Sequence, residues 1–204
     1  MECVFKDAGV ATSIETYPLK DEVELMFVIE CLAIRKMNAE LIISPSMIFA
    51  QDVLVQLPFA ETKNGKLILH AEKISMADKI MVDASAFPAA VFGLSAMFAA
   101  TGMEADITGL ESLSTGKELE QVTCLQRMLY RLNINTDYCG GSKFKVYNNK
   151  EMRAGLNLKP SVASFPWLLL VPAVIKTGEL RMDIEENDLK DKMELIEAGG
   201  IERV

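Results

Sequence analysis

Histidine and paired cysteines are what this sequence has least of. His70 is its single histidine, and its four cysteines, Cys3, Cys31, Cys124 and Cys139, include no Cys-x-x-Cys pair. Because zinc sites are built from closely spaced cysteines and histidines, the sequence argues against a zinc site, and no cofactor is expected. The first residues turn polar at once, without a signal-peptide pattern. We therefore expect reduced thiols and a cytoplasmic protein.

Long hydrophobic runs and positive charge are also scarce. The longest apolar stretches, residues 87–100 and 165–175, are shorter than the roughly 20 residues that cross a bilayer, so we expect buried helices. The chain has 21 Lys and Arg against 29 Asp and Glu, a formal net charge of −8. Such a surface repels nucleic acid and anionic membranes, so we expect neither as a partner; only a local basic site remains open.

Apolar residues are abundant, at 50% of the 204 residues, and they fall into a repeated layout. Two stretches enter an apolar run through Phe-Pro and leave it through Thr-Gly: residues 87–102 and residues 165–178. A fainter copy runs over residues 23–44. Each copy reads as an apolar helix, a turn and a short alternating strand, which predicts one internally repeated domain over residues 1–204.

The pattern predicts most of the helices and strands. Ser44 is a candidate cap for a helix to about Leu57, whose apolar positions are Ile48, Phe49, Val53 and Leu54. Asn64-Gly65 predicts a hairpin turn. Pro172 predicts a kink in the third apolar helix. The other predicted elements are helices at 23–35, 88–101, 117–132 and 189–198, the last capped by Asp188, and strands at 40–44, 104–108, 143–147 and 180–184.

One part of the second copy carries a family resemblance. Ile107-Thr108-Gly109-Leu110, followed by Lys117-Glu118-Leu119-Glu120-Gln121, resembles the enolpyruvyl transferases, the 5-enolpyruvylshikimate-3-phosphate synthase-like family. In that family Ile-Thr-Gly-Leu precedes a Lys-Glu-Thr-Asp-Arg motif at a helix start. The resemblance implies an α/β (α+β) fold, an inverted prism of three βαβαββ-type units around buried apolar helices. The units fall at about 15–75, 76–150 and 151–204, and the N-terminal segment is a candidate to complete the last.

The resemblance also implies site residues. Asp83 and Glu118 are the candidate catalytic residues, and Lys117 and Gln121 the candidate substrate-binding residues. Gln121 stands where the family has arginine, so the charged fork that grips a phosphate or carboxylate is lost. The Asp-His-Arg that the family places before the third apolar helix is replaced near Pro160-Ser161-Val162.

Each of these features also has an ordinary structural interpretation. Lys117 and Glu118 fit a solvated helix start, and Asp83 fits a turn or cap residue. Gly140-Gly141-Ser142-Lys143 lacks the full spacing of a phosphate loop and fits a simple turn. Arg127 and Arg131 lie one helical turn apart, where a solvated face and an anion site are both open.

Two functional hypotheses follow. In the first, the chain is a domain or divergent relative of an enolpyruvyl transferase that uses phosphoenolpyruvate, and turnover requires a second prism domain as partner. In the second, it is a non-catalytic scaffold for protein contacts or self-association. The charge and the loss of arginine at Gln121 favour the second hypothesis.

Overall fold

The computed structural model of the chain describes residues 2–9, 17–74, 79–147, 151–153, 157–159, 165–184 and 190–204. Its α-helices are α1 (Glu22–Ile34), α2 (Ile48–Leu54), α3 (Ala90–Thr101), α4 (Gly116–Arg131), α5 (Val174–Thr177) and α6 (Met193–Ala198). Its strands are β1 (Glu2–Asp7), β2 (Ala39–Ile42), β3 (Ala60–Lys63), β4 (Lys66–Leu69), β5 (Lys79–Asp83), β6 (Glu104–Thr108), β7 (Thr136–Cys139), β8 (Lys143–Val146), β9 (Glu179–Asp183) and β10 (Ile201–Arg203). Short 3₁₀ helices cover Pro45–Met47, Ala71–Lys73, Glu111–Leu113 and Trp167–Ala173.

Three apolar helical segments pack against one another in pairs: α1, α3 and the 3₁₀ helix Trp167–Ala173. Every residue of α3 is buried. An aromatic contact supports this packing, because the rings of Phe92 and Phe165 meet edge to face with their centroids 5.4 Å apart. A helix that is apolar on all sides is stable in water only when it is surrounded, and these segments surround one another.

The strands form three sheets with closely related pairing. The orders are β2-β4-β3, β5-β6-β8-β7 and β9-β1-β10. In each sheet the strand that follows an apolar helical segment pairs antiparallel with its neighbour: β2 with β4, β6 with β8 and β9 with β1. Strand β5 lies parallel to β6, and Leu158 forms a parallel bridge to Met182 of β9. The N-terminal strand β1 lies between β9 and β10 from the other end of the chain.

The two predicted turns are confirmed. Asn64 and Gly65 join β3 to β4 with φ angles of 53° and 75°. These are the left-handed values that a two-residue hairpin turn of this kind requires and that Asn-Gly adopts at low cost. Gly140 and Gly141 join β7 to β8 in the same region of φ, which matches the simple-turn interpretation of that glycine pair.

The predicted inward face of α2 is wrong at two positions. Ile48 is 51% exposed and Phe49 55% exposed, whereas Ala50, Val53 and Leu54 are buried. The preceding 3₁₀ turn, capped by Ser44, places Met47 in the core and shifts the face that the following short helix buries. On the longer helix α4, the apolar spacing predicts one buried stripe. Leu119 belongs to that stripe but is 38% exposed, whereas its other members are buried: Val122, Leu125, Met128, Leu129 and Leu132.

The third apolar helix differs from the prediction in type. Trp167–Ala173 is a 3₁₀ helix with Pro172 inside it, and only Val174–Thr177 is α-helical. Proline removes an N–H donor and collides with the carbonyl four residues earlier, which disfavours an α-helix before it. Strands β1, β5, β7 and β10 were not predicted from the sequence, and Tyr138 and Cys139 at the end of β7 were expected in a loop. The predicted cap Asp188 lies outside the described residues.

No helix in the described residues is both long enough and apolar enough to cross a membrane.

Candidate functional site

The carboxyl ends of β5 and β6 open at the same edge of their sheet. The two strands are parallel, with Asp83 opposite Thr108 at their last paired position. The chain leaves Asp83 towards α3 and leaves Thr108 towards α4. Because side chains at the carboxyl ends of parallel strands and at the helix starts that follow them meet along one edge, this edge is the candidate site.

Asp83 has a fixed and exposed position at this edge. Its Oδ1 accepts a hydrogen bond of 2.9 Å from the backbone N–H of Ser85. Gly109 lies directly against it: a β-carbon there would collide with the Asp83 carboxylate and with the Ser85 backbone, and the φ of Gly109 is +77°. Glycine is therefore required at position 109 for the two loops to approach this closely.

Gln56, just beyond α2, holds the backbone of Asp83. Its Oε1 accepts a hydrogen bond from the Asp83 N–H, and its Nε2 donates to the Asp83 carbonyl, each at 2.8 Å. A side-chain amide that bonds both the N–H and the carbonyl of one residue pairs with it as a neighbouring strand would. Gln56 is a positioning residue for Asp83, and it was missed by the sequence analysis because nothing local to either residue indicates the contact.

The start of α4 carries the other three predicted site residues. Thr115 precedes the helix but its side chain caps no N–H group. Lys117 and Glu118 are exposed in the first turn, and Gln121 is partly buried one turn later. The first-turn N–H groups and the positive end of the helix dipole favour an anion here, and Lys117 adds a full positive charge.

Asp83 lies at this sheet edge, and Lys117, Glu118 and Gln121 lie in the first turns of the helix that follows β6. Within the described part of the chain, no hydrogen bond or ion pair joins Asp83 to Lys117 or Glu118. The resemblance implies a catalytic aspartate near Pro88. Pro88 lies in the turn before α3, and neither it nor the neighbouring Ala89 has an ionisable side chain. The roles of these residues remain predictions.

The sequence analysis overlooked ionisable groups inside the apolar helix α1. Glu30 is fully buried, and neither of its carboxylate oxygens has a hydrogen-bond partner in the described residues. Burial raises the pKa of Glu30 well above its ordinary value, so the carboxyl is neutral over a wider range of pH. Burial, and then the neighbouring Glu30, also raise the pKa of the Cys31 thiol. An acidic residue inside an apolar run, between Ile29 and Cys31, is the signal that was available in the sequence.

Two other buried acidic groups are paired. Glu24 accepts from the Lys192 ammonium at 2.6 Å. Burial alone would lower the pKa of Lys192, but the bond to Glu24 and the charge of Asp21 outweigh it and raise that pKa. Asp106 lies 2.6 Å from Lys143 and 3.2 Å from Lys79. Each pair joins different elements of the fold, and both look structural.

Solved structures with a related fold exist. Two structures of EPSP synthase from Acinetobacter baumannii are similar to the chain: one with a TM-score of 0.64 at 14% identity, covering 90% of this chain and 47% of that one, and one with a TM-score of 0.58 at 13% identity, covering 89% and 46%. The chain therefore spans about half the length of these enzymes. No family model and no curated protein matches the sequence.

The class that these observations define is an EPSP synthase-like α/β fold. The family resemblance drawn from residues 102–132 is thus confirmed at the level of the fold. At 14% identity the likeness shows the fold alone, and the activity of the chain is a separate question.

Proposed function

We propose that this chain is a domain, or a divergent relative, of an enolpyruvyl transferase of the 3-phosphoshikimate 1-carboxyvinyltransferase type, with phosphoenolpyruvate as the donor. The observation that carries the proposal is the EPSP synthase-like fold over 90% of the chain. The Lys-Glu pair lies at the start of α4, the helix that follows β6, and Asp83 lies at the carboxyl end of the parallel neighbour of β6. This combination supports a site for an anionic substrate at this sheet edge.

The chemistry assigns a role to each residue. A substrate hydroxyl gives up its proton and adds to C2 of phosphoenolpyruvate, the carbon that carries the phosphate, while a proton is added to the methylene carbon. The tetrahedral intermediate then loses phosphate from C2 and a proton from the new methyl group, which leaves the enolpyruvyl ether. Asp83 and Glu118 are the candidates for moving those protons. Lys117 and the open helix start stabilise negative charge on the phosphate. Gln121 donates hydrogen bonds but supplies no charge, so donor binding is weaker than with arginine.

The fold is proposed to be a three-unit prism over residues 1–204. Its support is the shared strand order of the three sheets and the mutual packing of the three apolar segments. The N-terminal strand β1 lies in the sheet of the last unit, between β9 and β10. One prism domain presents one wall of a cleft, so turnover requires a second prism domain.

The alternative is a cytoplasmic scaffold that keeps the prism for protein contacts. Gln121 in the place of the arginine favours it, because the change removes a charge from the candidate site. The net charge of −8 also weakens the attraction of anionic substrates.

The test is an NMR titration of the ¹⁵N-labelled chain with phosphoenolpyruvate at millimolar concentration. The enolpyruvyl transferase proposal predicts saturable shifts in the first turn of α4, centred on Lys117, that Lys117→Gln abolishes. Lys63→Gln is the control, since Lys63 is an exposed cation in β3. Shifts that are absent, or that survive Lys117→Gln, contradict an anion site at this edge. A stable dimer by light scattering without such shifts supports the scaffold.

A further inference from the structure

A cleft at the C-terminal end of α4 combines positive charge with an apolar floor. It has a volume of about 600 Å³ and is lined by Arg127, Tyr130 and Arg131 of α4 and by Ile134, Asn135 and Thr136 on the way into β7. This volume lies within the usual range of small-molecule sites, roughly 300–1,000 Å³. We propose that this cleft binds a small-molecule anion, a carboxylate or phosphate attached to an aromatic-sized apolar body.

The two arginines supply the anion-binding group. Within the described residues, Arg127 has no hydrogen-bond or ion-pair partner. None of the residues three or four positions away from either arginine is acidic, so no ion pair along the helix neutralises them. Two like charges one turn apart repel each other, and an anion between them removes that repulsion. In a chain with a net charge of −8, this is a local reversal of the surface potential.

Arg131 is already oriented. Its Nη1 donates to the backbone carbonyl of Asn157 at 2.9 Å, which fixes the guanidinium and leaves its other N–H groups available. The nearest acidic residue along β7 is Asp137, whose carboxylate accepts a hydrogen bond from the Cys139 thiol at 3.0 Å. The fixed guanidinium loses little side-chain entropy when it binds a ligand.

The apolar part of the cleft determines which uncharged group the ligand can carry. Ile134 is buried at its base, and the Tyr130 ring is 75% exposed at its wall. An exposed aromatic ring beside two guanidinium groups favours a flat ligand, which can stack on the ring while its charge lies against arginine. The Asn135 amide and the Thr136 hydroxyl offer further hydrogen bonds to the anionic group or to ring substituents.

This site is separate from the candidate site at the start of α4. Lys117 and Arg131 are fourteen positions apart on one helix, which at 1.5 Å per residue is about 21 Å. The inference therefore goes beyond the proposed function and does not depend on it. Failure of phosphoenolpyruvate to shift Lys117 leaves this proposal untouched.

The experiment is an NMR titration of the full ¹⁵N-labelled chain with phenyl phosphate, compared with phenol and with inorganic phosphate. We expect saturable shifts over residues 127–136 with phenyl phosphate, and weaker binding of both comparison probes, because each lacks half of the recognised chemistry. Arg127→Gln and Arg131→Gln should each weaken the affinity about tenfold or more, since each removes a charge-assisted hydrogen bond. Lys63→Gln, which changes the net charge by the same amount, should leave the affinity unchanged.

The double variant Arg127→Gln/Arg131→Gln provides the decisive comparison, and the shifts of core amides check that it folds. Phenyl phosphate shifts that persist in the double variant, that fall equally in Lys63→Gln, or that centre on Lys117 would overturn the proposal. Equal affinity for phenol would also overturn it, because the arginines would then play no part in binding.

Discussion

The carboxylate of Glu30 on α1 occupies the space that a side chain at Gly93 on α3 would fill. A β-carbon built on Gly93 would collide with Oε1 of Glu30 and lie 2.8 Å from its Cδ. Both residues are fully buried where the two apolar helices cross. A glycine inside a helix normally costs stability, so its presence opposite a buried carboxyl points to a matched pair.

The first prediction concerns this pair. Gly93→Ala should destabilise the protein by about 1–3 kcal/mol, because the added methyl overpacks the contact with Glu30. In a Glu30→Ala background the same change should stabilise by about 1 kcal/mol, since alanine is then the better helix residue and the space is free. Urea unfolding of the four proteins measures both effects as a double-mutant cycle. Equal effects of Gly93→Ala in the two backgrounds would contradict the matched pair.

The second prediction concerns the pH dependence of stability. Because burial raises the pKa of Glu30 in the folded protein, the native state holds a proton that the unfolded chain releases near pH 4.3. The resulting stability is fully present below the unfolded pKa and is lost as pH rises towards the folded pKa, by about 1.4 kcal/mol per unit within that window. The Glu30→Gln variant never ionises at this position, so its stability relative to the wild type should rise between pH 5 and pH 8.

The measurement is the difference in unfolding free energy between variant and wild type at each pH, which cancels the other titrating groups. The charged groups nearest this part of α1 are Arg35 and Asp7, which also influence the Cys31 thiol. Glu197→Gln, which makes the same chemical change on the exposed side of α6, is the control. A Glu30→Gln difference that is constant from pH 5 to pH 8 would show that Glu30 is ionised in the folded state.

The elements that the sequence predicted well are those with a local cause. The Asn64-Gly65 turn follows from the φ angles that only a few residues tolerate, and α3 follows from an apolar run that ends at Gly102 in the left-handed conformation. Strand β1 could not be found this way. Both of its partners lie at the far end of the chain, so no neighbouring residue indicates the pairing.

The candidate site was predictable only as a set of positions. The resemblance located Lys117 and Asp83, and the parallel pairing of β5 with β6 places both loops at one edge. The contacts that hold that edge are tertiary. Gln56 and Asp83 are 27 residues apart, and no spacing rule joins them. Glu30 could have been noticed in the sequence, but the apolar residues around it led to the interpretation of the segment as an apolar helix.

The third prediction concerns Arg35, which joins both ends of the chain to α1. Its Nη2 lies 2.6 Å from the Asp7 carboxylate and donates to the carbonyls of Gly199 and Gly200 at 3.2 and 3.0 Å. Arg35→Lys keeps the charge, but the shorter side chain ends in one nitrogen and loses the further bond from Nη1 to the Gly9 carbonyl at 3.4 Å. We therefore expect a loss of about 2 kcal/mol, discounted for partial exposure. Amide hydrogen exchange should accelerate first in β1 and β10. Uniform acceleration across all three sheets would contradict a local role.

The fourth prediction tests whether Gln56 positions Asp83. Gln56→Leu removes both bonds to the Asp83 backbone, so the Asp83 N–H should exchange roughly thirtyfold faster, in line with about 1 kcal/mol for each of the two lost hydrogen bonds. Gln56→Glu should give a partial effect, because a carboxylate still accepts from the N–H but no longer donates to the carbonyl.

Gln51→Leu is the matched control for Gln56→Leu. It lies on α2 and loses one hydrogen bond, to the Thr62 hydroxyl at 3.1 Å, without contact with Asp83. Exchange at Asp83 should therefore be unchanged in Gln51→Leu, while overall stability falls by a similar or smaller amount. If both variants accelerate Asp83 equally, the effect is a general loss of stability in α2, and Gln56 does not hold the candidate site. If only Gln56→Leu does so, the carboxylate at the end of β5 is oriented from α2, which makes Gln56 the first residue to change when the activity of this edge is tested.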